Sequence, residues 1–216
     1  MGNLFSCDNI LYRILTRFSE LLYLGLLWFF FSLPIITIGA STTALYYTTN
    51  KVLFQKRGKI WQNFWHAFKT NFKPATLAWF MFLCLYLLTF INFYILRATT
   101  SNKDSYTEII IFTVILAIAT GWACYVFPYI ARIENTLGTT LKNAFLMSLS
   151  NFASTILLVA LMVLALVISL LYLPLMFLAV SGYMWYAAWT LERIFRKYIS
   201  PEELALEEAR NKLDTD

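Results

Sequence analysis

Charge is scarce in this chain of 216 residues: Asp, Glu, Lys and Arg together supply 13%, against about 25% in a soluble domain. Histidine is scarcer still. His66 is the only one, so no histidine-based metal site can be assembled within one chain. Cys7, Cys84 and Cys124 show no CxxC spacing, which excludes a thiolate redox motif or a cysteine zinc site. Gly-rich phosphate loops and nucleophile elbows are absent. Four long tracts carry no Asp, Glu, Lys or Arg: Leu21–Asn50, Pro74–Leu96, Ile109–Ala131 and Asn143–Leu191. A proton-coupled pump needs such groups at membrane depth, so that class loses its chemistry here. No cofactor is expected.

What is present is apolar. Hydrophobic residues make up 60% of the chain, and the mean hydropathy is +0.64. Each uncharged tract reaches the roughly 20 residues that cross a bilayer, and the last is long enough for two crossings. The expected fold is all-α: a polytopic membrane protein of about five transmembrane helices, with an N-terminal amphipathic helix and short cytoplasmic interfacial helices. Residues 1–200 read as one integral membrane domain, with spans at about 21–48, 74–96, 109–131, 152–171 and 174–191. Residues 201–216 read as a charged cytoplasmic helical tail, opened by Ser200-Pro201-Glu202-Glu203, a serine cap with proline at the first helical position. Asp8, Arg13, Arg17 and Glu20 lie in the first twenty residues, a pattern unlike a cleaved signal peptide.

From Ser6 to Glu20, Ile10, Ile14, Phe18 and Leu21 recur at helical spacing, with Arg13, Arg17 and Glu20 opposite and Asp8 as cap. An interfacial helix leading into the first span is expected. The first apolar tract is then broken by Pro34, Thr37, Gly39, Ser41, Thr42 and Thr43. Backbone groups freed inside hydrocarbon must find partners, so such a break has to be covered by protein, water or hydroxyl side chains. One kinked helix from Leu21 to about Tyr47 and a re-entrant hairpin of two half-helices both fit, and the length favours the kinked span. Gly39 and Thr43, like Ala40 and Ala44, put small residues on one face and permit close helix packing. A ligand site lined by Thr37, Ser41, Thr42 and Thr43 is the functional alternative.

Lys51, Lys56, Arg57, Lys59, Lys69 and Lys73 crowd one loop without a single acid, which marks it as cytoplasmic. Trp61, Trp65, Phe68 and Phe72 are interleaved with these cations, so a short helix resting on the anionic leaflet, aromatic side inward, is expected. Its position between two spans argues against nucleic acid as the partner. A shift of 80 residues superposes Gly58 on Gly138, Asn63 on Asn143 and Asn71-Phe72 on Asn151-Phe152. In both copies the asparagine is expected to cap the helix that follows. Arg193, Arg196 and Lys197 again mark the inside. Counting back from a cytoplasmic C-terminus gives five spans and an extracellular N-terminus, or four crossings if the first segment is re-entrant. Arg132 and Glu134 form the leading pair for any interfacial acid–base chemistry, with an ion pair at a helix end as the simpler role.

The pattern Pro34-x-x-Thr37-x-Gly39-Ala40 leading to Ala44-Leu45-Tyr46 resembles the opening of the YesL-like integral membrane proteins. So do Phe64-x-x-x-Phe68-x-x-Asn71-Phe72 and the Phe127-Pro128 pair ahead of Arg132. This bacterial family has no established activity and is often encoded beside ABC-type carbohydrate importers. The resemblance therefore implies a plasma-membrane, non-enzymatic accessory role in oligosaccharide uptake, and it supplies no catalytic residues. The partners to expect are the lipid bilayer, importer permease subunits and a second copy of the chain. A small carrier using the broken first helix is the alternative, and a membrane enzyme the third.

Overall fold

The computed structural model describes residues 10–99 and 105–198. Among them every regular element is helical: α1 (Ile10–Ser32), α2 (Ile38–Thr48), α3 (Ile60–Thr70), α4 (Phe72–Thr99), α5 (Ser105–Arg132), α6 (Leu137–Ser150), α7 (Phe152–Leu171) and α8 (Met176–Phe195). Four stretches, Tyr12–Ser32, Phe72–Ala98, Ile109–Arg132 and Phe152–Leu171, are long and apolar enough to cross a membrane. Their outer faces stay bare, with Phe80, Leu88 and Phe90 on α4, Ile110 on α5 and Leu164 and Leu170 on α7 all exposed. Apolar patches of that extent suit lipid rather than water, which fits a multi-pass membrane protein. α8 is 20 residues long and carries the charged pair Glu192 and Arg193 in its last turn, and it is not among these four.

Two expectations about the first tract are corrected. No helix breaker separates the amphipathic stretch from the apolar run, so both belong to the single helix α1 rather than to an interfacial helix followed by a span. Nor does one kinked helix cover 21–48. α1 stops at Ser32, a 3₁₀ turn occupies Ile35–Thr37, and α2 begins afresh at Ile38. The expected cap at Asp8, the residue Cys7 and the tail helix beyond Ser200 lie outside the described residues.

α2 is the hub. Gly39, Ala40, Ser41, Thr43, Ala44, Leu45, Tyr46 and Thr48 are all buried, and the helix touches α1, α3, α4, α5 and α8. Small side chains let that many neighbours approach, and close packing is what holds helices together when lipid removes the hydrophobic drive. α4 leaves the end of the bundle where Asn71 and Arg132 meet, and α5 returns to it. α8 runs from Phe177, against Gly25 of α1, to Glu192, against Arg132 of α5. A Cβ on Gly25 would strike the Phe177 backbone carbonyl, whereas one on Gly182 would meet nothing within 4 Å. Gly25→Ala is therefore expected to destabilise by about 1–3 kcal/mol through forced separation of α1 from α8. Gly182→Ala should stabilise by about 0.5–1 kcal/mol through helix propensity. Paired thermal melts in detergent check both signs.

The 80-residue repeat has a structural counterpart. Asn71 donates its side-chain amide to the Ala67 carbonyl and Asn151 to that of Met147, both at 3.0 Å. The expected cap is thereby reversed, because each asparagine closes the helix before it. Its own carbonyl accepts from Ala75 N–H in one copy and from Thr155 N–H in the other. Those same positions recur at the tight glycines: a Cβ on Gly39 would strike Ala75 and Trp79, and one on Gly121 would strike Thr155.

Candidate functional site

The break between α1 and α2 is sealed by side chains rather than by burial. Leu33, Ile35 and Ile36 are 59%, 63% and 66% exposed, so the turn's apolar side chains face outward. Three carbonyls at the break are paired. Thr37 Oγ1 lies 2.6 Å from the Phe31 carbonyl and 2.7 Å from that of Pro34, where it donates, while Trp79 Nε1 reaches across from α4 to the Ile35 carbonyl at 2.8 Å. On α2, Thr42, Thr43 and Thr48 each donate to the carbonyl four residues back. Thr42 also accepts from Trp28 Nε1 at 3.2 Å. Ser41 Oγ is buried without a hydrogen-bond partner. Three of the four hydroxyls proposed as ligand groups, those of Thr37, Thr42 and Thr43, are thus engaged with backbone, and the flank of Gly39 is filled by Ala75, Trp79 and Phe127. Thr37→Val is expected to cost about 1–3 kcal/mol, because it strips the side-chain donor from the Phe31 carbonyl. A melting point unchanged from wild type would show that carbonyl to be solvated.

The aromatic face of α3 turns into the protein. Phe31 of α1 stands 5.0–6.0 Å, centroid to centroid, from Trp61, Phe64, Trp65 and Phe68. Offset ring contacts of this kind add about 0.5–1.5 kcal/mol each beyond area. The expectation of an aromatic side laid on lipid is therefore corrected: Phe64 and Phe68 are buried, and Trp61 alone of the four is largely exposed. Lys69 caps the stack, its Nζ 4.6 Å from the Trp65 ring.

The polar residues converge at the basic end of the bundle. A cavity of about 330 Å³ opens there between α2, α3 and the end of α5. Lys51, Arg57, Asn71, Arg132 and Glu134, all singled out by sequence, line it together with Tyr46, Tyr47, Asn50, Gln55, His66 and Thr70. Lys56 and Lys59 are exposed away from it, Phe72 and Lys73 are exposed at the start of α4, and Asn151 lies at the α6–α7 junction. α2 passes into a π-helical turn at Thr49–Phe54, a distortion common at functional sites. Lys56 follows at φ 56°, the left-handed position that glycine normally takes after a helix. Arg57 N–H then bonds back to the Lys51 carbonyl at 3.1 Å, which ties the two cations side by side.

Arg132 does not pair with Glu134. Its guanidinium meets both carboxylate oxygens of Glu192, at 2.7 and 2.8 Å, with side chains only 8% and 16% exposed. Asn50 donates to the same carboxylate at 3.2 Å, and Arg196 approaches it at 3.5 Å. Three segments, the π-helical turn, α5 and α8, are pinned by that one acid. Glu192 was not singled out from sequence, although it is the first charge after the long tract ending at Leu191. Among the described residues no cluster of His, Cys, Asp or Glu could hold a metal ion.

Fold and site together define a small all-helical protein with apolar outer faces, a packed central helix and a basic cavity at one end. A family model described as a protein of unknown function, DUF624, matches residues 21–93. That stretch covers most of α1 to most of α4 and so includes the break, the hub helix and one wall of the cavity. None of the curated proteins and no solved structure matches the chain.

Proposed function

We propose that this chain is a non-enzymatic multi-pass membrane protein that acts as an accessory subunit of an ABC-type oligosaccharide importer. In this arrangement α1, α4, α5, α7 and α8 cross the plasma membrane, the basic end faces the cytoplasm and the N-terminus is extracellular. The observation that carries the reading is the solid packing around α2. Gly39 has no room for even a methyl group, and the Thr37, Thr42 and Thr43 hydroxyls are spent on backbone. A carrier with its site at a broken helix needs space and unspent polar groups at that point. The excess of cations at the end bearing Lys51, Arg57 and Arg132 supports the orientation. The link to sugar uptake comes from the residue pattern resembling the YesL-like proteins. Cross-linking in native membranes followed by pull-down in gentle detergent should recover permease subunits. Recovery of the chain alone, or of a second copy only, would overturn the accessory role. In variants retaining only Cys7, a membrane-impermeant thiol reagent should label intact cells. Labelling that required permeabilisation would overturn the five-crossing topology.

A further inference from the structure

At the end away from the basic cavity, α4 and α5 are held apart rather than packed. Where α4 meets the bundle it carries Ala75 and Ala78, both fully buried, and small residues of that kind let helices close up. From Leu85 to Leu96 it has no glycine, alanine or serine. Two rungs cross to α5 in this region. Tyr86 Oη lies 3.4 Å from Thr120 Oγ1, and the Phe93 and Phe112 rings meet edge to face at 6.2 Å. Among these bulky side chains a groove of about 610 Å³ remains, reaching from Leu83 to Phe93 along α4 and from Ile109 to Leu116 along α5. Its lining asks for nothing polar. Thr89 and Thr113 donate to the carbonyls of Leu85 and Ile109, at 2.8 and 2.7 Å, and Tyr86 has Thr120. The rest of the surface is hydrocarbon. Such a void attracts no water, and its walls forfeit dispersion contacts if nothing fills it.

We propose that this groove seats one acyl chain of a phospholipid whose phosphate rests on Arg97. The lengths agree. Leu83 to Phe93 is a rise of about 15 Å along the helix, and one leaflet of the ~30 Å hydrocarbon core is about 15 Å deep as well. Arg97 stands in the last turn of α4, about 6 Å beyond Phe93 and so at headgroup level. Its guanidinium carbon is 5.7 Å from the centre of the Phe93 ring. One ring thus walls the groove and holds the cation at its mouth, where the planar fork of an arginine matches phosphate oxygens. The leaflet involved is the one opposite the basic cavity, because α4 starts at that cavity and ends at Arg97. This inference rests on α4 and α5 crossing the bilayer. It goes beyond the accessory role, since it concerns binding by the isolated chain and needs no partner subunit.

The test uses the full chain in nanodiscs of phosphatidylcholine and phosphatidylglycerol, a fraction of the lipid carrying a diazirine midway along one acyl chain. After irradiation and digestion, adducts should concentrate on the groove residues Phe90 and Leu116, well above Leu164 and Leu170 on the bare face of α7. Native mass spectrometry in mild detergent should find one phospholipid held per chain. Thr113→Trp, which fills the groove, should lose both the groove adducts and the retained lipid. Ile111→Trp, exposed on the same helix but outside the lining, should keep both. Arg97→Gln should weaken retention severalfold, whereas Arg13→Gln, an equal loss of charge on α1, should leave it unchanged. Should Thr113→Trp fail to fold, the two arginine variants and the adduct map decide the matter. Adducts spread evenly over the groove and α7, no retained lipid, or equal losses within either pair of variants would overturn the proposal. So would a lipid-free dimer in the mass spectrum with the groove shielded from labelling, since a second copy would then be its occupant.

Discussion

Glu192→Ala is expected to cost about 3–5 kcal/mol of stability, the largest effect of any single side-chain truncation at the basic end. The reason is what the carboxylate leaves behind. Arg132 is 8% exposed and its guanidinium faces Glu192, so deletion strands a buried cation, and Asn50 loses its acceptor as well. For a chain of this length, each kcal/mol moves the melting point by about 2–4 °C, which places the variant on the order of 10 °C below wild type. Removing both charges tells a different story. Arg132→Met/Glu192→Leu keeps the volume and abolishes the desolvation penalty, so it should recover most of the loss. Detergent-solubilised protein followed by differential scanning fluorimetry gives all the numbers needed. Equal melting of Glu192→Ala and wild type would mean that water reaches the guanidinium and that the pair holds nothing together.

That ion pair also shows where sequence reasoning reached its limit. The apolar helices α4, α5 and α7 begin and end within about four residues of the expected spans, because only composition is needed to recognise a helix that must satisfy its own backbone in lipid. The turn at Leu173–Leu175 was likewise visible, since Pro174 interrupts an otherwise continuous run. The pairing of Arg132 with a glutamate 60 positions away leaves no local trace. An arginine near a helix end reads the same whether its partner is Glu134 two residues on or Glu192 across the bundle. The asparagines failed for another reason. A side-chain amide can serve the helix before it or the helix after it, and at Asn71 and Asn151 the preceding helix's carbonyls won. Phe31 could be seen as apolar, but nothing in the run Phe29-Phe30-Phe31 announces that the third ring anchors α3 while the second faces outward. Of the site, the cations of the 51–73 loop were legible through the positive-inside bias. The cavity was not, because it depends on a π-helical turn and a left-handed lysine that local sequence does not signal.

Gly39→Leu is expected to prevent stable folding altogether or to lower stability by 3 kcal/mol or more, at the upper end of what overpacking costs (~1–3 kcal/mol per well-packed site). The Cβ alone would lie 2.5 Å from the Ala75 carbonyl oxygen and 2.7 Å from Trp79 Cβ, with the Phe127 ring at 3.0 Å. Backbone cannot yield the way a flexible side chain does, so α2 would have to withdraw from α4 and α5 together. Withdrawal would also pull Ile35 from Trp79 and reopen a carbonyl at the break. Gly138→Leu is the matched control, because nothing lies within 4 Å of its added carbon, and it should melt at or above the wild-type temperature. The contrast separates two roles for the broken first segment. If Gly39 lined a transport path, leucine would fill open space and leave a folded, blocked protein with an unchanged melting point. If it is a packing contact, as the distances to α4 and α5 require, the damage appears in monodispersity and melting before any flux is measured.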